Sequence, residues 1–176
     1  MNWISVRLGA LGEALFFLQK VLDATRRSFG QREEIFHQTL LVTFQSGSTT
    51  VFAGFFVGAI MTLQFTLQVQ VFDALPYLGG LVTSGTLREV GPLLIAFLLS
   101  GKIGAYTTAE LGTMQVTEQI DAIRCLGADP IKEIVVPRFN GIILASFFLL
   151  TLGLLMSFLG GVLTVSYTHL TLPTKA

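Results

Sequence analysis

The stretch "GIILASFFLLTLGLLMSFLGGVLT" (141–164) decides the fold class of this chain. No residue between Phe139 and Thr164 carries a formal charge. A helix that crosses a bilayer needs about 20 consecutive, mostly apolar residues, and this run is long enough. The sequence therefore predicts a spanning helix near 139–164.

Two further apolar stretches precede it. The run "VFAGFFVGAIMTLQFTLQVQVF" (51–72) predicts a first spanning helix near 47–70, after a segment that is too polar for lipid throughout. A turn is expected at "FDALPYLGG" (72–80), and a second spanning helix from about Tyr77 to about Thr107. The whole chain is 52% hydrophobic and 12% charged, whereas soluble domains carry about 25% charged residues. We expect an all-α integral membrane protein with three transmembrane helices.

The amino-terminal segment has a different pattern. Its apolar residues recur by threes and fours, as on one face of a helix: Ile4, Leu8, Leu11, Leu15, Leu18 and Leu22. Charged residues interrupt it too often for a spanning helix or a signal peptide. We expect an amphipathic helix lying in the membrane surface. The alternative is a soluble helix packed on a partner.

Basic residues predict the orientation in the membrane. Five precede the first span (Arg7, Lys20, Arg26, Arg27 and Arg32), and three lie between the second and third spans (Arg124, Lys132 and Arg138). The connection near 70–80 has none. Cytoplasmic loops are enriched in Lys and Arg, so the amino terminus and the second connection are predicted to be cytoplasmic.

Motifs for catalysis, nucleotide binding and metal binding are missing from the sequence. The nearest string to a P-loop, "SGKIG" (100–104), lacks the first glycine and the hydroxyl residue after lysine. His37 and His169 stand alone, and Cys125 is the single cysteine. The net charge of zero suggests no nucleic-acid partner. We expect no catalytic residue, no metal site and no cofactor.

Small residues recur at four-residue steps in all three spans. Gly54 and Gly58 form one such pair, and residues 153, 157 and 161 repeat it in the third span. The second span has two adjacent ladders: Ala96, Ser100, Gly104, Thr108 and Gly112, beside Gly101, Ala105 and Ala109. Such spacing lets helices approach closely in lipid. The double ladder predicts that other helices surround the second span.

Two charges interrupt the second span at "TLREVGPLL" (86–94). Arg88 and Glu89 lie on the order of 16 Å from its start at Tyr77. Charges at that depth cost about 2.5–3.5 kcal/mol each, so they normally face a cavity or a partner. Pro92 lacks the N–H that would bond the carbonyl of Arg88, so the helix should kink or open there. The pair is either a polar site inside a membrane cavity or a structural pair bonded to other helices.

The connection "AELGTMQVTEQIDAIRCLGADPIKEIVVPR" (109–138) predicts a short amphipathic helix. Thr117 is expected to cap it, Gly127 to end it, and Pro130 to prevent its continuation. Its apolar face comprises Val116, Ile120, Ile123 and Leu126. On the cytoplasmic side, such a helix is either a docking element or a surface turn lying on its own protein.

The stretch "LREVGPLLIAFLLSGKIGAYTTAELGTMQVTEQIDAIRCLGADP" (87–130) resembles the signature region of the MlaE permease family. The strings R-E-x-G-P, A-E-L-G-T-M and E-Q-I-D-A occur in order and close together. The resemblance extends from the amino-terminal helix to about Thr164. It implies a homodimeric ABC transporter permease of the bacterial inner membrane, or of a related chloroplast envelope. The implied partners are a cytoplasmic ATPase and an MCE-domain lipid-binding protein, and the implied cargo is phospholipid or another lipid.

The resemblance also assigns residues to two sites. The lipid cavity would include Arg88, Glu89, Gly91 and Pro92. The helix that couples the permease to its ATPase would include Glu118, Gln119, Ile120, Asp121, Ile123 and Leu126. The absent P-loop is then expected, because the ATPase is a separate chain. A second class of function, a membrane-embedded lipid-modifying enzyme that uses Glu89 as acid or base, stays open beside the transporter.

The end of the sequence departs from the family pattern. After residue 164 the chain reads "VSYTHLTLPTKA", which is polar and shows no helical period. It resembles a translated sequencing adaptor. We expect residues 1–164 to form a partial permease domain and 165–176 to be a non-native tail without a fold, the alternative being a genuine divergent terminus.

Overall fold

The computed structural model describes residues 3–27, 32–72 and 74–171, and within them the chain is helical with short turns. A 3₁₀ turn and two π-helical segments interrupt the α-helices. The helices are α1 (Trp3–Arg27), α2 (Arg32–Val71), α3 (Leu78–Gly85), α4 (Gly91–Val116), α5 (Gln119–Cys125) and α6 (Val136–Thr171). The 3₁₀ turn is Leu75–Tyr77, and the π-helical segments are Thr86–Val90 and Ile131–Val135.

Three helical segments of the described chain are long and apolar enough to cross a membrane: Arg32–Val71, Leu78–Val116 and Ile131–Tyr167. They confirm the three predicted spans and the turn after Val71. Each helix is longer than its predicted span, because the polar residues at its ends continue the helix beyond the apolar run. α1 is not among the three segments, as its interrupting charges indicate.

Three threonine side chains are buried along α2, and their hydroxyls find acceptors within the helix. Thr39, Thr50 and Thr62 are buried. The Thr39 hydroxyl donates to the carbonyl of Ile35 at 2.7 Å. The hydroxyls of Thr50 and Thr62 likewise donate to the carbonyl four residues earlier, at 2.8 and 2.9 Å. Since each hydroxyl is satisfied within the helix, burying it costs little.

The chain divides into two compact units, residues 1–41 with 108–144 and residues 42–107 with 145–176. In the second unit, α2 and α6 approach at their small residues. A Cβ on Gly54 would meet the backbone of Gly153, and a Cβ on Gly58 would meet the carbonyl of Ser157. The predicted small-residue packing of the first and third spans is therefore confirmed.

The double ladder of α4 packs differently from the prediction. All eight small residues of the two ladders are exposed, and a Cβ on Gly101, Gly104 or Gly112 would meet nothing within 4 Å. The buried face of α4 is instead formed by Gly91, Ile95, Leu99 and Ile103. Within the described chain, α4 is contacted at these large aliphatic side chains and not at its ladders, so the expected packing of other helices on the ladders is not seen there.

We predict that Gly58→Ala disrupts the packing of α2 on α6. The new methyl group would overlap the Ser157 carbonyl, and neither backbone can move without displacing its helix. Overpacking of this kind costs about 1–3 kcal/mol or more. Thermal unfolding in detergent should show a lower Tm for Gly58→Ala. Gly47→Ala, on the same helix but with nothing within 4 Å of the added methyl group, should leave the Tm nearly unchanged, and equal Tm values for the two variants would contradict the packing.

In the first unit, α1 contacts the π-helical segment Ile131–Val135. Val21 and Ala24, near the carboxyl end of α1, are buried. The predicted apolar face is exposed from Leu8 to Leu22, with 47–66% of each of its leucines accessible; the side chain of Ile4 lies outside the described residues. A helix with an uncovered leucine face is typical of one that lies on a membrane or a partner.

The predicted break at residue 165 is not seen in the backbone. α6 continues without interruption to Thr171. Extending an existing helix needs no new nucleation, and no proline occurs between residue 165 and Pro173. The expectation that the tail carries no fold is thus wrong for 165–171, whereas its non-native origin stays a prediction.

Candidate functional site

The Arg88–Glu89 pair lies in a π-helical segment of the second unit. Here the N–H of Gly91 donates to the carbonyl of Thr86, five residues earlier instead of four. Pro92 has no N–H for the carbonyl of Arg88, so the regular ladder is interrupted at this point. The helix opens where the proline predicted it would. π-helical turns of this kind occur frequently at functional sites.

Both charged side chains at this opening are exposed. Within the part of the chain that the structure describes, neither Arg88 nor Glu89 forms an ion pair or a hydrogen bond. The alternative of a structural pair bonded to other helices therefore finds no support within the described chain. Gly91 is buried, and a Cβ there would meet the Thr86 carbonyl and the Leu154 side chain.

An apolar cavity of about 260 Å³ lies beside the opening, within the second unit. Thr86 and Leu87 contribute to its wall, so the π-helical segment borders it directly. None of the four predicted cavity residues is among those that line it. The lining residues are Gly58, Gly79, Val82, Thr83, Thr86, Leu87, Ser157, Phe158, Gly161, Val162, Val165 and Ser166.

Lys102 is a polar group that sequence reasoning missed. Its Nζ donates to the carbonyl of Gln45 at 2.8 Å and to the Thr49 hydroxyl at 2.5 Å, so it joins α4 to α2. The available signal in the sequence is that Lys102 is the single charged residue between Glu89 and Glu110. The partners are 53 and 57 residues away in the chain, a pairing that no local pattern predicts.

In the first unit, the structure confirms a short helix between the second and third spans. α5 is one residue shorter at each end than predicted, since Glu118 and Leu126 are its caps. Thr117 does not cap it: its hydroxyl donates backwards to the carbonyl of Thr113 at 2.8 Å, because α4 continues up to this point. Glu118, with φ 58°, makes the sharp turn between the two helices instead.

The end of α5 agrees with the prediction. Gly127 adopts a left-handed conformation with φ +78°. Its N–H donates to the carbonyl of Arg124, and the N–H of Ala128 donates to the carbonyl of Ile123, at 2.9 and 3.2 Å. These two bonds form a Schellman motif, which explains why glycine is favoured here. Pro130 then lies at the start of the next helical segment.

α5 presents both apolar and charged side chains. Ile120 and Ile123 are half-buried, whereas Leu126 is 85% exposed. On its polar side, Arg124 donates to Asp121 at 2.9 Å. No residue of α5 is buried. The apolar face is therefore only partly covered by its own protein.

A second ion pair fixes the two chain segments that flank α5. Arg138 at the start of α6 bonds to Glu110 of α4 at 2.7 Å, and the Arg138 side chain is only 7% exposed. Glu110 belongs to the A-E-L-G-T-M string. This charge-assisted bond between the Arg138 guanidinium and the Glu110 carboxylate fixes the distance between the end of α4 and the start of α6. No local sequence pattern predicts this ion pair, because its two residues are far apart in the chain.

These observations define a multi-pass α-helical membrane protein with polar groups inside its spans and a short amphipathic helix between the second and third. Comparison with known proteins is consistent with this class: the family model for Permease MlaE matches residues 35–175. The chain belongs to the MlaE permease family.

Three relatives illustrate the relationship. A probable ABC transporter permease of Rickettsia conorii is 36% identical over 133 residues, covering 76% of this chain and 51% of that protein. A probable ABC transporter permease of Synechocystis is 33% identical over 92% of this chain and 62% of its own length. The intermembrane phospholipid transport system permease of Haemophilus influenzae is 33% identical over 74% of this chain and 50% of its own length. The chain thus spans about half the length of the first relative.

Proposed function

We propose that this chain is the permease subunit of an ABC-type transporter that moves phospholipid between membranes, with ATP hydrolysis supplied by a separate ATPase. The observation that carries the proposal is α5, an amphipathic helix whose apolar face is incompletely covered and which connects two spanning segments. The similarity to permeases named for ABC and phospholipid transport supports it. The chain itself has no P-loop, so it needs a partner that hydrolyses ATP.

α5 is the proposed contact with that ATPase. Ile120, Ile123 and Leu126 would enter an apolar groove of the partner, while Glu118, Gln119 and Asp121 would contact its polar rim. The Glu110–Arg138 ion pair supports a mechanical role for this region. The Arg138 side chain is almost fully buried, so breaking the pair would leave its charge uncompensated. The pair therefore holds the adjacent ends of α4 and α6 together, and a displacement of α5 would move both helices.

The Arg88 opening is the proposed site for the lipid. The exposed guanidinium of Arg88 suits a phosphate, because its planar fork donates two charge-assisted hydrogen bonds. The neighbouring 260 Å³ cavity has an apolar wall that suits an acyl chain. Pro92 and Gly91 would serve the site indirectly, by keeping the helix open and closely packed. Glu89 would meet a cationic part of the headgroup.

The remaining partners follow from the same assignment. We infer that the complete transporter is a homodimer that works with an MCE-domain lipid-binding protein. We place it in a bacterial inner membrane with its amino terminus in the cytoplasm. The placement of basic residues supports this orientation, and the exposed small-residue face of α4 offers a surface for close helix contact.

A lipid-modifying enzyme that uses Glu89 is the less favoured candidate. General acid–base catalysis requires a carboxyl group that is positioned by neighbouring groups. The exposed Glu89 has no hydrogen-bonded neighbour among the described residues, and an enzyme has no need of α5.

Affinity purification of the tagged chain tests the subunit assignment. Co-expressed with ABC-type ATPases of its own organism, the chain should copurify with one of them in a fixed ratio. Failure to retain any ATPase from membranes that contain folded chain would contradict the proposal.

A further inference from the structure

We propose that Lys102 and the cavity beside it bind a phosphate group, and that this group belongs to a phospholipid in the membrane. The site is separate from the Arg88 opening. Fourteen residues of helix place the two on the order of 20 Å apart along the span. The inference rests on the proposed function in one respect only, namely that phospholipid is the anion available at this position.

Charge balance is the first reason. In the described part of the second unit, the charged residues are Arg88, Glu89 and Lys102. Glu89 lies thirteen residues before Lys102, in the π-helical segment that precedes α4, and no ion pair within the described chain includes Lys102. An ammonium group in a spanning segment is costly without an anion, and such residues mark paths for ions or substrates. The described part of the second unit thus supplies a cation here without a counter-charge.

The geometry of the ammonium group is the second reason. An ammonium group has three N–H donors, and two of them are directed at Gln45 and Thr49. Both acceptors are neutral oxygens of α2, so they position the group without cancelling its charge. The third donor is available to a ligand. A fixed cation with one free donor is organised to receive an oxyanion.

The adjoining cavity is the third reason. It has a volume of about 210 Å³ and is lined by Val42, Gln45, Ser46, Lys102, Ile103 and Tyr106. Three of these side chains besides lysine can donate a hydrogen bond: an amide, an aliphatic hydroxyl and a phenol. None of them is acidic. A wall with one cation and several neutral donors favours a phosphate over a cationic or purely apolar ligand.

Native mass spectrometry of the chain released from nanodiscs tests the site. Two nanodisc preparations are compared, one with phosphatidylglycerol and one with diacylglycerol. Each lipid is diluted in the same uncharged lipid, which carries no phosphate group. All proteins compared carry Arg88→Ala, which removes the lipid site proposed at the opening. In this background Lys102→Gln should reduce retained phosphatidylglycerol about tenfold, the loss expected for a hydrogen bond to a charged group. Lys102→Arg should retain it, and diacylglycerol should be unaffected by either change. Inorganic phosphate that displaces the lipid at millimolar concentration would show that a free phosphate is the ligand, which overturns the lipid assignment.

Thr151→Val is the matched control for a nonspecific effect of substitution. It removes one hydroxyl from the exposed side of α6, at a residue that does not line the cavity. A site predicts that Thr151→Val retains the phosphatidylglycerol while Lys102→Gln loses it. If both variants lose lipid equally, or if Lys102→Gln retains lipid at the level of the parent protein, the site does not exist.

A measurement on the unmodified protein covers the case in which Lys102→Gln does not fold. Reductive methylation followed by peptide mass spectrometry reports the access of each lysine. Phosphatidylglycerol should protect Lys102 relative to diacylglycerol, while the exposed Lys132 reacts equally in both. Equal reactivity of Lys102 in the two lipids would refute the proposal. No ATPase takes part in these assays, so their failure leaves the transporter assignment untouched, just as failed ATPase copurification leaves lipid binding untouched.

Discussion

Ile120→Asp is expected to abolish copurification of the ATPase while the chain still inserts into the membrane. Ile120 is half-buried on the apolar face of α5, and an aspartate there would place a charge in the proposed groove of the partner. Loss of a central apolar residue of an interface typically reduces the binding free energy by about 2 kcal/mol or more, which is roughly a 30-fold loss of affinity. Quantitative copurification from membranes measures this loss.

Two further variants of the same region distinguish docking from misfolding. Leu126→Asp changes a residue that is 85% exposed, so it cannot uncover a core, yet it should weaken ATPase binding as well. Cys125→Asp changes an exposed residue on the opposite face of α5 and should leave the ATPase bound. Retention of the ATPase by Ile120→Asp and Leu126→Asp would eliminate the docking role of α5.

Arg88→Ala should have the second large effect, on lipid. A charge-assisted hydrogen bond contributes about 1.5–3 kcal/mol, so removal of the guanidinium should reduce lipid occupancy at the opening at least about tenfold. Arg88→Lys should reduce it less, because it keeps the charge but not the bidentate fork. A photo-reactive side chain at Leu87, which lines the neighbouring cavity, reports the occupancy by crosslinking to lipid.

The control for this prediction is Arg32→Ala, at the exposed start of α2. It removes one positive charge outside the predicted span and should leave crosslinking unchanged. A structural role for Arg88 would lower the amount of folded protein in proportion to the loss of crosslinking. If the Arg88→Ala protein accumulates normally and crosslinks to lipid at the wild-type level, there is no lipid site at this position.

The features that the sequence predicted well are those with a local cause. An uncharged run of sufficient length specifies a spanning helix, and Pro92 removes a particular N–H, so the opening before it could be placed. Gly127 could be assigned as the end of α5 because a Schellman motif requires a left-handed residue. The cap was misassigned to Thr117, since whether a threonine caps the next helix or ends the preceding one depends on where that helix stops.

Features that depend on long-range pairing could not be predicted. Lys102 finds its acceptors on α2, and Arg138 finds Glu110 across the connection that contains α5. The small-residue ladders of α4 show the same limit in reverse. The spacing of the small residues indicates only that close packing is sterically allowed. The three-dimensional arrangement is needed to show that Ile95 and Leu99 form the buried face of α4.

Transfer of fluorescent phospholipid out of proteoliposomes tests the central proposal most directly. The vesicles contain the chain assembled with its copurified ATPase, and an acceptor membrane or lipid-binding protein is supplied outside. ATP should accelerate transfer of phospholipid, and a non-hydrolysable analogue, or replacement of the chain by its Ile120→Asp variant, should reduce transfer to the passive rate. Transfer that is equally fast with and without ATP hydrolysis would contradict a function as the permease of an ABC-type lipid transporter.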